Sequence, residues 1–312
     1  MSHTSLMKNF LRVAALGFCF VSAQAFAGTG PSVVETSTRT DDDIPAWGFE
    51  FDLHGSYVGD GDIKRGSRRI EDFDELNALA RFVILPRTPI GLLRIGAEYE
   101  IFDFGFGDGL QVPDRLQSIA AIIGLDTKFS DNFLVRFEAK PGVYYTDHAD
   151  SKDWNIPFIL GGTYLYSSDF QWIFGVSVDL GRQYPVLPGG GFRWRFAPQW
   201  VLNAAAPTPR LEYELTRNFM IFAGADLRGK AVRVDENFVG DLPRPEKLNN
   251  AVLSYLEIRT GLGVQWKIGD TCKLTVDGGY LPYREFDYHR ADVRYKADGG
   301  SIYGGVTFGA KF

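Results

Sequence analysis

Cysteine is nearly missing from this chain of 312 residues, at two, and methionine stands at only three. So few thiols cannot build a disulfide-stapled scaffold or a cysteine-rich metal domain. Long hydrophobic runs are missing as well. Past the first thirty residues no stretch nears the roughly 20 apolar residues of a spanning helix, which excludes a helical membrane bundle. Positive charge is not in excess. The formal net charge is -6, so nothing electrostatic points to nucleic acid. What is present is 35 glycines and 14% aromatics in a chain that is 45% hydrophobic and 23% charged. That composition excludes disorder, and without a G-X-Y period it excludes collagen.

The N-terminus carries Lys8 and Arg12, then an apolar stretch from Val13 to Val21, then Ala23, Ala25 and Ala27. This is the order of a secretory signal peptide. Cleavage after Ala27 is preferred, so residues 1–27 are expected to be removed. Leu16-Gly17-Phe18-Cys19 loosely matches a lipobox, but Phe18 is too large beside the cleaved bond, and no lipid anchor is expected. Cleavage would leave Cys272 as the sole cysteine. Residues 28–45, with Asp41-Asp42-Asp43, read as a periplasmic or plug segment, and residues 46–312 as one domain.

From Ala46 onward the dominant period is two, the period of a strand. Trp47, Phe49, Phe51, Leu53 and Tyr57 alternate with Glu50, Asp52, His54 and Ser56. The pattern recurs with Leu93, Ile95, Ala97 and Tyr99 against Arg94, Glu98 and Glu100. It recurs again with Leu256, Ile258, Leu262, Val264 and Trp266 against Glu257, Arg259 and Lys267. Most runs are about 11 to 15 residues, where a soluble strand has about 5 or 6 and a tilted bilayer-crossing strand about 9 to 11. Long connections near 59–72, 103–115, 146–155, 234–251 and 287–299 alternate with short turns. Started upward at Trp47, every long one falls on the outside. The short turns end in Phe133, Phe170, Trp200 and Phe219, which predicts an aromatic girdle at the inner interface. The expected fold is all-β: a transmembrane, antiparallel up-and-down barrel of 14 strands. Twelve is the alternative if the short pieces of 184–215, broken by Ala206-Pro207-Thr208-Pro209, fold inward.

The closing residues Tyr303-Gly304-Gly305-Val306-Thr307-Phe308-Gly309-Ala310-Lys311-Phe312 resemble Gram-negative outer-membrane proteins. That class ends in a terminal Phe on an alternating strand read by the barrel-assembly machinery. The resemblance therefore assigns Val306, Phe308, Ala310 and Phe312 as the assembly signal. It implies a bacterial outer-membrane location, with outer-membrane lipid and lipopolysaccharide as surroundings. The stretch from Pro188-Gly189-Gly190-Gly191-Phe192-Arg193-Trp194 through Trp200, with 207–213, resembles a barrel family of unknown function.

Chemistry is sparse. With three His past the signal peptide and one Cys, a zinc site is not expected. Asp60, Asp62 and Glu71 fit three positions of an EF-hand, but Lys64 and Arg65 occupy its fifth-ligand and glycine positions. Asp147, Asp150 and Asp153 read as solvated loop charge. No cofactor is expected. His54-Gly55-Ser56 puts an imidazole and a hydroxyl on one strand face. Outer-membrane lipases resemble this pair, but theirs faces lipid, and here the face is shared with Glu50 and Asp52. A non-enzymatic reading is therefore preferred.

The polar face is expected to line the lumen with Glu50, Asp52, His54, Arg81, Arg94, Glu98, Glu100, Arg136 and Glu138. It continues with Arg193, Arg195, Glu212, Glu214, Asp226, Arg228, Glu257 and Arg259. Both signs sit on adjacent strands, which predicts cross-strand pairing rather than a ring selective for one sign. The leading expectation is a passive pore or uptake channel for small hydrophilic solutes along this Arg/Glu wall. The alternative is a structural or surface-interaction barrel with a closed lumen.

Overall fold

The computed structural model describes residues 47–66, 68–105, 112–182, 184–238 and 248–312. The segments expected as signal peptide and plug lie outside the described residues. The first ten strands are β1 (Trp47–Arg65), β2 (Arg68–Thr88), β3 (Gly91–Gly105), β4 (Arg115–Ser130), β5 (Phe133–Ala139), β6 (Gly142–Tyr145), β7 (Trp154–Asn155), β8 (Phe158–Leu165), β9 (Phe170–Val178) and β10 (Val186–Ala197). The rest are β11 (Trp200–Asn203), β12 (Arg210–Glu214), β13 (Phe219–Arg233), β14 (Val252–Ile268), β15 (Cys272–Tyr288), β16 (Val293–Ala297) and β17 (Ser301–Lys311). Antiparallel pairing runs round the ring, with β5 on β8 and β15 on β17, and closes where β17 pairs with β1, Phe308 opposite Leu53 and Ala310 opposite Phe51. Fourteen strands form the ring; β6, β7 and β16 extend it at the outer end. This is a closed barrel with the strand number that the alternation predicts.

Closure satisfies the backbone of the ring, as a bilayer requires. Side chains then divide by parity. Ile302 is 76% exposed, Leu262 68% and Ile123 54%, values that would form an untenable patch in water. On the outside of a barrel they make the lipid-facing band. The predicted girdle is present: Phe133, Phe170, Trp200 and Phe219 open β5, β9, β11 and β13. Their rings pack with neighbours, Phe219 on Trp266 at 5.7 Å, Trp200 on Tyr213 at 4.7 Å and Phe170 on Phe192 at 5.7 Å.

Two of the expected outside loops are strand instead. Residues 59–72 are the top of the β1–β2 hairpin, whose ladder runs on to Arg65 opposite Arg68 after register shifts near Gly61. Within 287–299, β16 pairs with the end of β15 and with β1. The reason is packing. Ile63, Phe73, Phe286, Tyr288, Val293 and Tyr295 on these extensions bury themselves in one apolar cluster at the outer end.

The outer half is not a simple ring. β13 sits half-way round the barrel from β4, yet Lys230 of β13 reaches Ser118 Oγ of β4 at 2.6 Å and Glu100 of β3 at 2.6 Å. Arg233 pairs in register with Tyr145 of β6 and donates to the Lys152 carbonyl at 3.0 Å. The upper end of β13 therefore turns inward while it stays paired with β14 as far as Arg233 opposite Val252, and meets β3, β4 and β6 across the lumen.

Candidate functional site

The lumen face of β1–β5 and β13–β15 is a charged wall. Arg94 is buried among Glu50 (2.9 Å), Glu138 (2.9 Å) and Asp126 (3.5 Å). Arg81 meets the same Glu138 at 2.8 Å. Arg136 pairs with Asp126 at 2.6 Å and Lys140 with Glu98 at 2.8 Å. Asp52 lies beside Arg81 in register, its carboxylate over Gly309 together with Lys273. Glu100 is taken by Lys230. Further round, Arg193 pairs with Glu212 at 2.9 Å and Arg195 with Glu214 at 2.8 Å, the zipper that the sequence predicts.

Deeper still is a cluster with no access to water. Arg259 contacts Glu75 at 2.9 Å and Glu257 at 2.8 Å, and Arg284 contacts Glu75 at 2.8 Å. The Tyr255 hydroxyl lies in hydrogen-bonding reach of both carboxylates. Two carboxylates meet two guanidinium groups, so the cluster is neutral by formal charge, the condition for burying ions at all. Above it Phe73, Phe102, Phe104, Tyr255 and Phe286 pack with centroids 4.8–5.6 Å apart. On this side the outer half of the lumen is filled.

His54 and Ser56 face this filled side. His54 Nδ1 lies 2.8 Å from Thr307 Oγ1, and Nε2 lies 2.6 Å from Arg228 Nη1. Arg228 also meets Asp226 at 2.7 Å. Ser56 Oγ accepts from Arg259 at 2.7 Å. The pair is built into the arginine network, away from lipid. In the outside loop, Asp150 and Asp153 cap a single 3-10 turn at Ser151–Asp153 reciprocally. Hydrogen bonds from Ser151, the backbone amide first, hold the Asp150 carboxyl below its usual range.

Opposite stands a wall of another kind. On β8, β9 and the outer half of β10 the inward residues fall in three rows of register partners. These are Thr163, Ile173 and Gly191; Gly161, Gly175 and Gly189; and Ile159, Ser177 and Leu187. None is charged, and the middle row is glycine from strand to strand. Gly161, Gly175 and Gly189 put no side chain on this face, where the opposite wall carries paired ions.

Lys230, Arg284 and Asp126 escaped the sequence reading. Lys230 had a signal, because it continues the alternation of Asp226 and Arg228. Arg284 had none. It points inward only because the β14–β15 register shifts between Ile258 and Thr260, next to Pro282. Val306, Phe308, Ala310 and Phe312 lie along the seam, where Phe312 N–H donates to the Phe49 carbonyl at 2.9 Å.

A family model described as Domain of unknown function (DUF6268) matches residues 93–298. No curated protein sequence matches the chain. Among solved structures, the COG4313 outer membrane channel from Pseudomonas putida F1 is 5% identical with a TM-score of 0.48, covering 88% of this chain and 100% of that one. The P. putida toluene transporter TodX is 10% identical at 0.37, covering 85% and 90%. The NanC porin is 12% identical at 0.36, covering 83% and 98%. All three likenesses are distant, and the fold rests on the chain's own strand pairing.

Proposed function

The chain belongs to the family described as Domain of unknown function (DUF6268), and from its own geometry we propose that it is a Gram-negative outer-membrane channel for small solutes. The path runs beside the Arg/Glu wall, along the rows on β8, β9 and β10. The carrying observation is the row Gly161, Gly175 and Gly189 on the lumen face. A barrel that only had to be filled would place side chains there. The paired ions of the other wall act as scaffold: each is committed to a partner, so a solute finds no free charge along them. The C-terminal strand with Phe312 serves as the assembly signal in this reading.

The test is conductance in planar bilayers. The purified barrel gives discrete steps, and Ser177→Trp or Thr163→Trp, placing an indole among the rows, reduces the step by more than half. A second reading, a structural barrel with a closed lumen, draws on the buried aromatic cluster at the outer end. Electrical silence of the wild-type protein would favour it.

A further inference from the structure

Outward of the row Ile159, Ser177 and Leu187 the uncharged side comes to an end, and what stands there is charged. Asp179 continues the alternation of Gly175 and Ser177, so its side chain points into the lumen. It opens the turn Asp179-Leu180-Gly181-Arg182 between β9 and β10. Arg182 N–H closes this turn on the Asp179 carbonyl at 3.1 Å, and Asp179 N–H donates to the Pro185 carbonyl at 2.8 Å. One carboxylate then ties the turn together and ties it to β7. Its Oδ1 accepts from Gly181 N–H at 2.9 Å and from Asn155 Nδ2 at 2.8 Å, and its Oδ2 meets Arg182 Nε at 3.0 Å.

The far side of the turn rests on β13. A Cβ on Gly181 would stand 3.7 Å from the Cβ of Ala231, which is buried on the inward-turned end of that strand. Three elements therefore meet at Asp179 and Gly181: β7, which leads into β8; the turn, which joins β9 to β10; and β13, which faces them. Their meeting point lies over the outer end of the space beside the glycine row. On the side toward β1–β5, β14 and β15 the ion cluster and the aromatic rings fill the lumen. A solute that follows the glycine row outward arrives at this turn.

The chemistry of the contact is that of a closure made to part. Apolar residues of similar volume would shut the same space without desolvating two ions, so a buried pair adds little to a permanent seal. Here the side chains of Asp179 and Arg182 are only 4% and 10% exposed. When such a pair swings into water it regains its hydration, whereas an apolar seal would lose its burial. The contact with β13 is a glycine against one methyl group, which buries little apolar surface and parts at small cost. We infer that the turn Asp179–Arg182 is the outer gate of the channel, closed in this structure, with Asp179 as the pin that holds it to Asn155. The inference rests on the channel reading and adds its regulation.

The experiment uses the full mature chain in planar bilayers, in a Cys272→Ser background, carrying Gly181→Cys and Ala231→Cys together. Their Cβ separation of 3.7 Å falls within the range of about 3.5–4.5 Å that a disulfide spans. Oxidation, verified by a gel shift, should cut the open time at least tenfold, and reductant should restore it in the same membrane. The reduced form of the same protein is the control, because a Cβ at 181 also presses on Asp179 Oδ1 at 3.2 Å and Asn155 Nδ2 at 3.3 Å. A verified disulfide with the open time unchanged would overturn the gate. Asn155→Leu takes one donor from Asp179 and needs no cross-link, so it decides where the cysteines do not bridge. It should lengthen the open time at least threefold, and an unchanged open time would overturn the gate. Conduction indifferent to both changes would remove the gate and leave the channel. Silence of the parent and of Asn155→Leu alike would remove the channel reading and the gate with it. Silence of the parent relieved by Asn155→Leu would support both.

Discussion

The two sides of this lumen obey one sequence rule and come out opposite. Both alternate, both put apolar residues on lipid, and both turn every second residue inward. On the β13–β15 and β1–β5 side the inward residues are Arg, Glu, Lys and aromatic rings, and they meet across the space until it is full. On the β8–β10 side, outward of Arg193 and Arg195, they are Gly, Ser, Thr and a few aliphatics, with no charge among them. Alternation tells which way a side chain points. What it meets there depends on length, and two long charged residues from opposite strands bridge a gap that glycine leaves open.

The largest effect should come from breaking the filled side at its least hydrated point. Arg259→Met leaves Glu75 and Glu257 facing Arg284 alone, an uncompensated buried charge. Removing one partner of a buried pair costs about 3–5 kcal/mol, read as a drop in the urea midpoint of the liposome-refolded barrel. Adding Glu257→Gln restores neutrality and should recover most of the loss. Thr163→Val on the open side should change the midpoint by less than about 1 kcal/mol. Similar losses from both would mean that the walls are equally packed, and the contrast would fall.

How much of this was legible follows the same line. Parity was readable wherever alternation ran unbroken, and Glu50, Arg94, Glu138, Arg193 and Glu212 stand in ion pairs with side chains of other strands. The fourteen strands were readable because the connections alternate between short and long. Packing across the lumen was not, since nothing in β13 announces that Lys230 will meet Ser118, 112 residues away. Nor did the pattern separate a loop from a strand rising beyond the membrane: Phe73 and Tyr295 look like loop aromatics until Phe286 is placed beside Phe73 at 5.6 Å. The short hairpin β11–β12 was half legible. Pro207 and Pro209 mark where its ladder must stop, but not that the strands on either side continue.

A smaller effect separates ions from rings within the filled side. Tyr255 belongs to both, its ring against Phe286 at 4.8 Å and its hydroxyl at Glu75 and Glu257. Tyr255→Phe keeps the ring and takes one donor from buried carboxylates, a loss of about 1–3 kcal/mol. A loss near zero in the urea midpoint would mean that Arg259 and Arg284 alone satisfy the carboxylates, and that the rings hold this side.

The smallest effect belongs to the ion pairs of the outer rim, and it sharpens the comparison by showing what exposure does to the same chemistry. Lys64 Nζ stands 2.5 Å from Asp298 Oδ1 at the top of the β1–β2 hairpin, with Arg69 between Asp62 and Asp298. The geometry is as close as any in the lumen, but water reaches the pair and pays back little for forming it. The hydrogen bond from Lys64 holds the Asp298 carboxyl below its ordinary value. A lowered folded value stabilises above the unfolded carboxylate pKa of about 3.9 and loses that stabilisation as pH falls through the folded value. Lys64→Ala should therefore shift the urea midpoint barely at pH 7 and not at all below the folded value. Raising salt to about 1 M, where screening acts within about 3 Å, should erase the pH 7 difference. Arg259→Met should keep its full deficit at that salt, because ions do not enter the space around Glu75. A salt-sensitive Arg259→Met would mean that water and ions reach the cluster, and the filled side would then be part of the path.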